Sequence, residues 1–453
     1  VLVKSSSIVQ KIGIKMTQEE KYSLAKWAMQ HALDSGADQV SIIISQSKSS
    51  NVDVREQKID TLKEAIESNM SIRLYVDNKY SSHRTNRLEK TELSRFIEQA
   101  IAATKYLSPD PYRSLPDPNL YYQGEGKDLG TEDSTYDNID PKTKVDLAFQ
   151  IEKEALNKDE RIISVSTSYS DKTSSRLMVT SNGFEGETKN SSFSLGASVS
   201  VDGGDARPSD TWRERAILFD QLQKSNIGST ALDRVLKKIG QQKISSGKYD
   251  MLVENRAAGR LFYPLLSALD GYNIQQKNSF LIDKIGEKVA SEKLTLTDDP
   301  FIQGGLGSQL FDSEGLALKK REVFKHGVLG TYYIDTYYAK KLEMKPTTGD
   351  ASNLIFESGE KDLEALVKSM KKGILVTGFN GGNTNGSTGD FSYGIDGFLV
   401  EDGEIIKPVS EMNISGNMKE LWMNLAEVGT DPNPISSWQT PSMLFEGVDF
   451  SGS

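Results

Sequence analysis

Cysteine is missing from all 453 residues, which excludes disulfides, thiolate metal ligands and cysteine nucleophiles. Histidine is nearly missing: His31, His83 and His326 are the whole supply and stand far apart in sequence. A catalytic triad can be assembled from distant residues, but no Gly-x-Ser-x-Gly elbow accompanies these three, so ordinary structural histidines are the expectation. No apolar run reaches transmembrane length, and no membrane partner is expected. Basic excess is absent as well. A net charge of −10 argues against a general nucleic-acid binder. The first fifteen residues carry lysines and an Ile-Val pair but lack the continuous apolar core of a signal peptide. Met16-Thr17 reads as the more natural start, and the cytoplasm is the expected compartment.

What is present is a globular composition, 37% hydrophobic and 26% charged, on a chain too long for one ordinary core. Thr17-Gln-Glu-Glu20 is a capping-box pattern opening a helix with Leu24, Trp27, Ala28 and Ala32 on one face. Residues 40–44 read as a buried strand, and Val52 and Val54 as part of an alternating one. A strand over 70–76 meets another over 79–84 across Asp77-Asn78. Leu93, Phe96, Ile97, Ala100, Ile101 and Thr104 then fall on one helical face. Four prolines between 108 and 118 mark a linker or long surface loop that continues to 140. Asp140-Pro141 caps a helix to about 156. Ser/Thr/Val-rich stretches at 161–170, 175–180 and 191–201 suit a half-exposed antiparallel sheet. A helix over 230–239 closes that region. Further on, hairpins are expected around His326-Gly327 and Glu401-Asp-Gly403, with a short helix over 362–370.

The pattern predicts an α+β fold. It comprises a small N-terminal α/β domain (16–107), the linker or loop (108–140), a central helix with antiparallel strands (141–243) and a glycine-rich, mainly antiparallel β domain (247–453).

The stretch around residue 255 stands at the centre of this plan. Met251, Leu252 and Val253 form a short apolar strand. From Ala258 the apolar residues recur at three- and four-residue spacing through Leu261, Phe262, Leu265, Leu266 and Leu269. A strand therefore hands over to a helix, and Pro264 is expected to kink that helix or move its start later. The chemistry-bearing positions at the junction are Asn255, Arg256 and Arg260. Zinc needs imidazole, thiolate or carboxylate ligands, and neither Asn nor Arg normally supplies one.

From Gly373 onward glycine is dense, above all in Asn380-Gly-Gly-Asn-Thr-Asn-Gly-Ser-Thr-Gly-Asp390. No Gly-Lys-Ser/Thr ending follows and no cation lies between Asn380 and Gly394, so a set of tight turns outweighs a phosphate loop. Exposed strands beside such turns could hold an extended peptide by main-chain hydrogen bonds.

Ser387-Thr-Gly-Asp-Phe-Ser-Tyr-Gly394, Gly397-Phe-Leu-Val-Glu-Asp-Gly-Glu-Ile-Ile406, Pro408-Val409, Ile414-Ser-Gly-Asn417 and Val428-Gly-Thr-Asp431 together resemble the C-terminal signature of the TldD/PmbA family. Phe311-Asp-Ser-Glu-Gly315, Ser181-Asn-Gly-Phe184 and the helix ending in Gly36-Ala-Asp38 add to the match, which spans residues 16–450. The family, once called modulators of DNA gyrase, has two branches that pair into a metalloprotease acting on unfolded or short peptides. The resemblance implies His-Glu-x-x-x-His and a later cysteine in TldD-type chains. The histidines hold zinc and the glutamate acts as general base. The matching run here is Asn255-Arg-Ala-Ala-Gly-Arg260. Asn255 and Arg260 stand for the histidines and Arg256 for the glutamate. The sequence thus resembles the PmbA (TldE) branch.

That resemblance implies a non-catalytic subunit of a cytoplasmic peptidase complex, with no metal in this chain and zinc in a TldD-type partner. The expected assembly is a heterodimer with that partner or a homodimer, and the expected substrate is peptide. Asn380, Thr388, Asp390 and Ser392, on the glycine-rich loop, are the candidate lining of a shared peptide chamber. Arg256 and Arg260 either pair with local carboxylates or bind a substrate carboxylate. Two competing functions stand beside this one. One is an autonomous metallopeptidase with Asp, Glu and scattered His as ligands. The other is a protein-binding modulator of gyrase or of a toxin-antitoxin pair.

Overall fold

A computed structural model describes residues 8–12, 15–124 and 126–452. The other residues of the segment read above as preceding the natural start lie outside the described residues. The fold is α+β.

One long twisted sheet organises the first half. It contains β1 (Ile8–Ile12), β2 (Gln39–Arg55), β3 (Lys58–Val76), β4 (Lys79–Thr85), β5 (Ile162–Thr180), β6 (Glu185–Val201) and β7 (Ser209–Ala216). The order is β1-β3-β2-β5-β6-β7, with β4 beside β3. Because β2 pairs with β5 from Ser41↔Thr180 to Arg55↔Ser166, the N-terminal and central regions share this sheet. Four helices cover a single face, since the residues of the cores beneath them recur with period two along β2, β3, β5 and β6. Helices α1 (Gln18–Asp34) and α2 (Lys90–Thr104) enclose one core with Val40, Ile42, Ile44, Met70 and Ile72. Helices α3 (Pro141–Ala155) and α4 (Ile227–Lys237) enclose a second with Val52, Val54, Val165, Tyr169 and Phe193.

Strands β2 and β5 run 17 and 19 residues, where the sequence suggested two shorter strands each. The apolar alternation fails at their middles because buried ion pairs fill the seam between the two cores. Lys21 pairs with Glu187, and Lys144 stands 2.6 Å from Asp171 and 2.9 Å from Ser50 Oγ. Tyr169 Oη donates to the same Asp171 at 2.8 Å. The opposite sheet face is lined by Ser45, Ser47, Ser49, Ser166, Ser168 and Ser170, all half-buried, as the serine-rich composition suggested.

Segment 108–140 carries two 3₁₀ turns and buries Leu115, Tyr121, Leu129 and Tyr136. The capping box at Thr17 forms with Glu20, and Asp140 caps α3. On α1 the buried stripe is Ala25, Ala28 and Ala32, while Leu24 and Trp27 lie at its margin.

The second half is built on β8 (Gly247–Val253), β13 (Lys372–Thr384), β14 (Asp390–Glu401), β15 (Glu404–Asn417), β16 (Leu425–Val428) and β18 (Met443–Ser451). The order is β15-β14-β13-β8-β18-β16, and β15 also pairs with β18, so five strands close on themselves. Only β8 and β13 run parallel within this sheet. A smaller sheet holds β9 (Leu296–Asp298), β10 (Arg321–Lys325), β11 (Val328–Leu329), β12 (Leu354–Phe356) and β17 (Trp438–Gln439). Helix α5 (Asn255–Ser267) packs on the closed sheet, and short helices α6 (Gly271–Gln275), α7 (Thr336–Leu342), α8 (Leu363–Ser369) and α9 (Met418–Met423) connect the strands. The two-residue turns Asp77-Asn78, His326-Gly327 and Asp402-Gly403 all have positive φ at both residues, which matches the strand twist.

The glycine-rich stretch is a hairpin rather than an open loop. Strand β13 continues to Thr384 and β14 restarts at Asp390. A bulge between Asn380 and Asn383 absorbs Gly381 and Gly382, both at positive φ. A Cβ on Gly382 would lie 2.0 Å from the Ser392 carbonyl oxygen, so glycine is required there.

Candidate functional site

Strand β8 delivers the site. Met251, Leu252 and Val253 are wholly buried between β13 and β18. The ladder extends one residue further, as Glu254 N–H donates to the Val376 carbonyl at 3.0 Å. Helix α5 starts at the next residue and buries Ala258, Leu261, Phe262 and Leu265. Pro264 lies inside it and does not delay its start. Only one turn follows the proline, and Ala268 N–H still closes on the Pro264 carbonyl at 3.0 Å.

Asn255 is held on all sides. Its Nδ2 donates to the Asp431 carbonyl at 2.7 Å and its backbone N–H to Ser442 Oγ at 3.1 Å. Thr440 Oγ1 donates to its carbonyl at 2.9 Å. Ser442 is fixed in turn by the Asp431 carboxylate, which accepts from its backbone N–H at 3.0 Å and its hydroxyl at 2.7 Å. Val428-Gly-Thr-Asp431 thus serves as a support for the helix N-terminus. A Cβ on Gly429 would meet Asp431 Oδ1 at 2.4 Å.

Arg256 turns away toward the first sheet. Its Nη2 donates to Glu214 Oε1 at 2.8 Å, its Nη1 donates to the Arg213 carbonyl, and its guanidinium lies 3.6 Å from the Trp212 ring centroid. Beside it, Arg234 of α4 grips Glu254 through two hydrogen bonds of 2.7 and 2.8 Å and lies 5.2 Å from the same indole ring. Burial works against the Arg234 charge, but the Glu254 and Asp210 carboxylates outweigh it and raise its pKa above the ordinary value. Strand β7, which supplies Trp212 and Glu214, was not foreseen in the sequence. Its signal was the alternation Asp210, Trp212, Glu214 against Thr211, Arg213, Arg215.

Arg260, one turn later, behaves differently. It is exposed and reaches the β13–β14 hairpin, where Nη2 donates to the Gly382 carbonyl at 2.9 Å and the guanidinium lies 4.7 Å from the Tyr393 ring centroid. It forms no ion pair among the described residues. Between Arg256 and Arg260 opens a cleft of about 530 Å³, walled by Tyr263, Phe379, Trp438, Asn433 and Thr440. Tyr263 is 57% exposed and stacks on Trp438 with ring centroids 6.2 Å apart.

Asn380, Thr388, Asp390 and Ser392 do not line this cleft; all four are exposed on the hairpin. Asp390 accepts from Thr388 Oγ1 at 2.7 Å and Asn417 Nδ2 at 2.8 Å. The Asn417 and Thr388 bonds hold the Asp390 carboxyl below its ordinary pKa.

The residues at the site do not fit zinc. The Asn255 amide is committed to a backbone carbonyl, and a guanidinium offers no lone pair. Among the described residues no three His, Asp or Glu side chains gather as a metal would require. The histidines lie on α1, on β4 and at the β10–β11 turn. Among the described residues no helix is long and apolar enough to cross a membrane.

Three domain profiles of the PmbA/TldA metallopeptidases match the chain: domain 1 over 40–104, the central domain over 135–239 and the C-terminal domain over 246–452. A metalloprotease PmbA homolog of Haemophilus influenzae is 30% identical over 444 residues, covering 97% of this chain and 98% of that one. Metalloprotease PmbA of Escherichia coli O157:H7 is 28% identical, covering 92% and 93%. A solved Bacteroides thetaiotaomicron protein described as a candidate modulator of DNA gyrase superposes with a TM-score of 0.95. It is 48% identical, and the match covers 97% of this chain and 100% of that one. TldE from Thermococcus kodakarensis shares the fold, with a TM-score of 0.85 at 23% identity over 95% of this chain and 100% of that one. With one relative at this identity along nearly its whole length, and all three profiles in order, the chain belongs to the PmbA/TldD metallopeptidase family.

Proposed function

We propose that this chain is a non-catalytic, TldE-like subunit of a cytoplasmic metalloprotease complex. Its partner is a TldD-type chain that carries the zinc, and its substrates are unfolded or short peptides. One observation carries this reading. At the family's metal-motif positions Asn255 and Arg256 are each committed to contacts within the chain, and among the described residues no three His, Asp or Glu side chains gather to take the place of the ligands they displace. A site that had merely lost its function would be under no demand to keep such a network, whereas a subunit that shapes a shared chamber needs a fixed wall. The test is co-expression with a TldD-type chain from the same source, followed by gel filtration and a peptidase assay of the complex and each subunit. The two should co-elute at moderate salt, because obligate interfaces are large and rather apolar. The complex should cleave unfolded peptides faster than the TldD-type chain alone, with this chain inert. A TldD-type chain fully active alone that never co-purifies with this one would overturn the reading.

A further inference from the structure

Two arginines line the cleft beside α5, and only one is neutralised. Arg256 spends its charge on Glu214 and its face on Trp212. Among the described residues Arg260 meets only backbone carbonyls and the Tyr393 ring. In a chain of net charge −10, no Asp or Glu lines this cleft. The opening therefore presents a fixed positive charge with no internal counterion. Apolar walls stand close by: Tyr263 on α5, Phe379 on β13, and Trp438, on which Tyr263 stacks. Gly259 leaves the floor bare, since a Cβ placed there would meet nothing within 4 Å. Thr440 and Asn433 add polar groups at the far side.

We propose that this cleft captures the C-terminal carboxylate of an extended peptide, with Arg260 as its counterion and the stacked Tyr263 and Trp438 as a wall against an apolar terminal side chain. The assignment rests on the peptide-handling role proposed above and names the part of the substrate this subunit holds. Of the Arg260 N–H groups, only those on Nη2 are engaged among the described residues, which leaves donors for a charge-assisted hydrogen bond. The Tyr393 ring and the Gly381 and Gly382 carbonyls hold the guanidinium in place, so less side-chain freedom is lost on binding. Arg260 is a substrate-positioning residue; no bond is made or broken at this site.

The experiment uses the isolated full chain, so that it is independent of whether a partner is found. Fluorescence anisotropy follows a labelled peptide ending in Ala-Leu-Phe with a free carboxylate. The same peptide as its C-terminal amide, and an amidated peptide with an internal glutamate, serve as comparison probes. The free acid should bind about tenfold or more tightly than the amide, the range expected of a charge-assisted hydrogen bond. The internal glutamate should not replace it. Arg260→Gln should erase the acid preference while leaving amide binding little changed, and Arg260→Lys should keep part of it. Gly259→Phe, which fills the floor and leaves Arg260 itself unsubstituted, should weaken both ligands while circular dichroism stays unchanged. Equal affinity for acid and amide, an acid preference that survives Arg260→Gln, or equally tight binding of the internal glutamate would overturn the proposal. Failure of co-expression would instead count against the partner reading and leave this result standing.

Discussion

Two places in the molecule bury charge, and they do so by opposite means. At the start of α5, Glu254 faces Arg234 across two short hydrogen bonds, with Asp210, Arg256 and Glu214 completing an alternating set around Trp212. At the Phe311-Asp-Ser-Glu-Gly315 turn, Asp312 and Glu314 are also shielded, and Asp335 lies close enough to raise the Glu314 neighbourhood's negative potential. No ion pair reaches any of these three carboxylates among the described residues. Backbone N–H groups serve them instead. Glu314 and Leu316 donate to Asp312 at 2.8 and 3.0 Å, Thr336 to Glu314 at 2.9 Å, and Tyr338 to Asp335 at 2.7 Å. Asp312 Oδ2 has no hydrogen-bond partner among the described residues. Burial pushes all three carboxyls above their ordinary pKa. The difference teaches where charge is structural. Opposed charges cross-link α4, α5 and β7, whereas backbone-capped carboxylates fix turns and remain sensitive to protons.

Breaking the cross-link should have the larger effect. Glu254→Ala removes the acceptor of both Arg234 bonds and leaves a mostly buried guanidinium facing only Asp210. The expected loss is about 3 kcal/mol, in the range for removing one partner of a buried pair. Replacing both members with apolar residues, Arg234→Met with Glu254→Leu, should recover much of that loss, because neither charge is then stranded. Urea unfolding of the three variants is the measurement. A double variant no more stable than the single one would mean that the pair does more than cancel its own desolvation.

The acidic turn should respond to pH in the opposite sense from an ion-paired carboxylate. Its groups have folded pKa values raised above the ordinary 3.8 for Asp and 4.5 for Glu. Unfolded chains release these protons first, so the folded state binds more of them through that window and its stability falls as pH rises. Below the ordinary values both states are protonated and the contribution is complete; above the raised values it is lost. Asp312→Asn keeps an acceptor oxygen for the Glu314 and Leu316 N–H groups and carries no charge. It should flatten the decline above about pH 4 and change stability at pH 7 by under about 1 kcal/mol. Thermal unfolding of both proteins between pH 4 and pH 7 decides it, and parallel curves would show that Asp312 is not the group responsible.

Much of this was legible in the sequence wherever one rule acted alone. The capping box at Thr17, the Asp140-Pro141 helix start and the three two-residue turns each depend on a few adjacent residues, and all three kinds formed as expected. Strands failed where tertiary demand replaced apolar residues with polar ones. Asp171 is buried on β5 against Lys144 of α3, yet its letter reads as surface, so β5 looked interrupted. Strand β7 was missed because the covered side of its alternation carries Asp210 and Glu214 beside Trp212, whose burial depends on arginines from α4 and α5. At the site, Asn255, Arg256 and Arg260 stood out at the strand-to-helix junction and again in the family motif, but sequence spacing could not tell the two arginines apart. Their difference comes from Glu214, about forty residues away, which lies within reach of one and not the other.

The smallest expected effect concerns the cleft floor. Gly259 occupies the fifth position of α5, where its φ is ordinary and an added Cβ meets nothing. Glycine inside a helix costs about 0.5–1 kcal/mol relative to alanine, through backbone entropy lost on folding. Gly259→Ala should therefore stabilise the chain by roughly that amount, read as a higher urea midpoint with an unchanged slope. Because the methyl group would project into the opening beside Arg260, the same substitution should weaken binding of the free-acid peptide slightly without abolishing its preference over the amide. The two readouts separate two explanations for the glycine. Higher stability with weaker binding indicates that the bare floor serves an occupant of the cleft. Higher stability with unchanged binding would place the peptide terminus away from this turn of α5 and confine recognition to the Arg260 side.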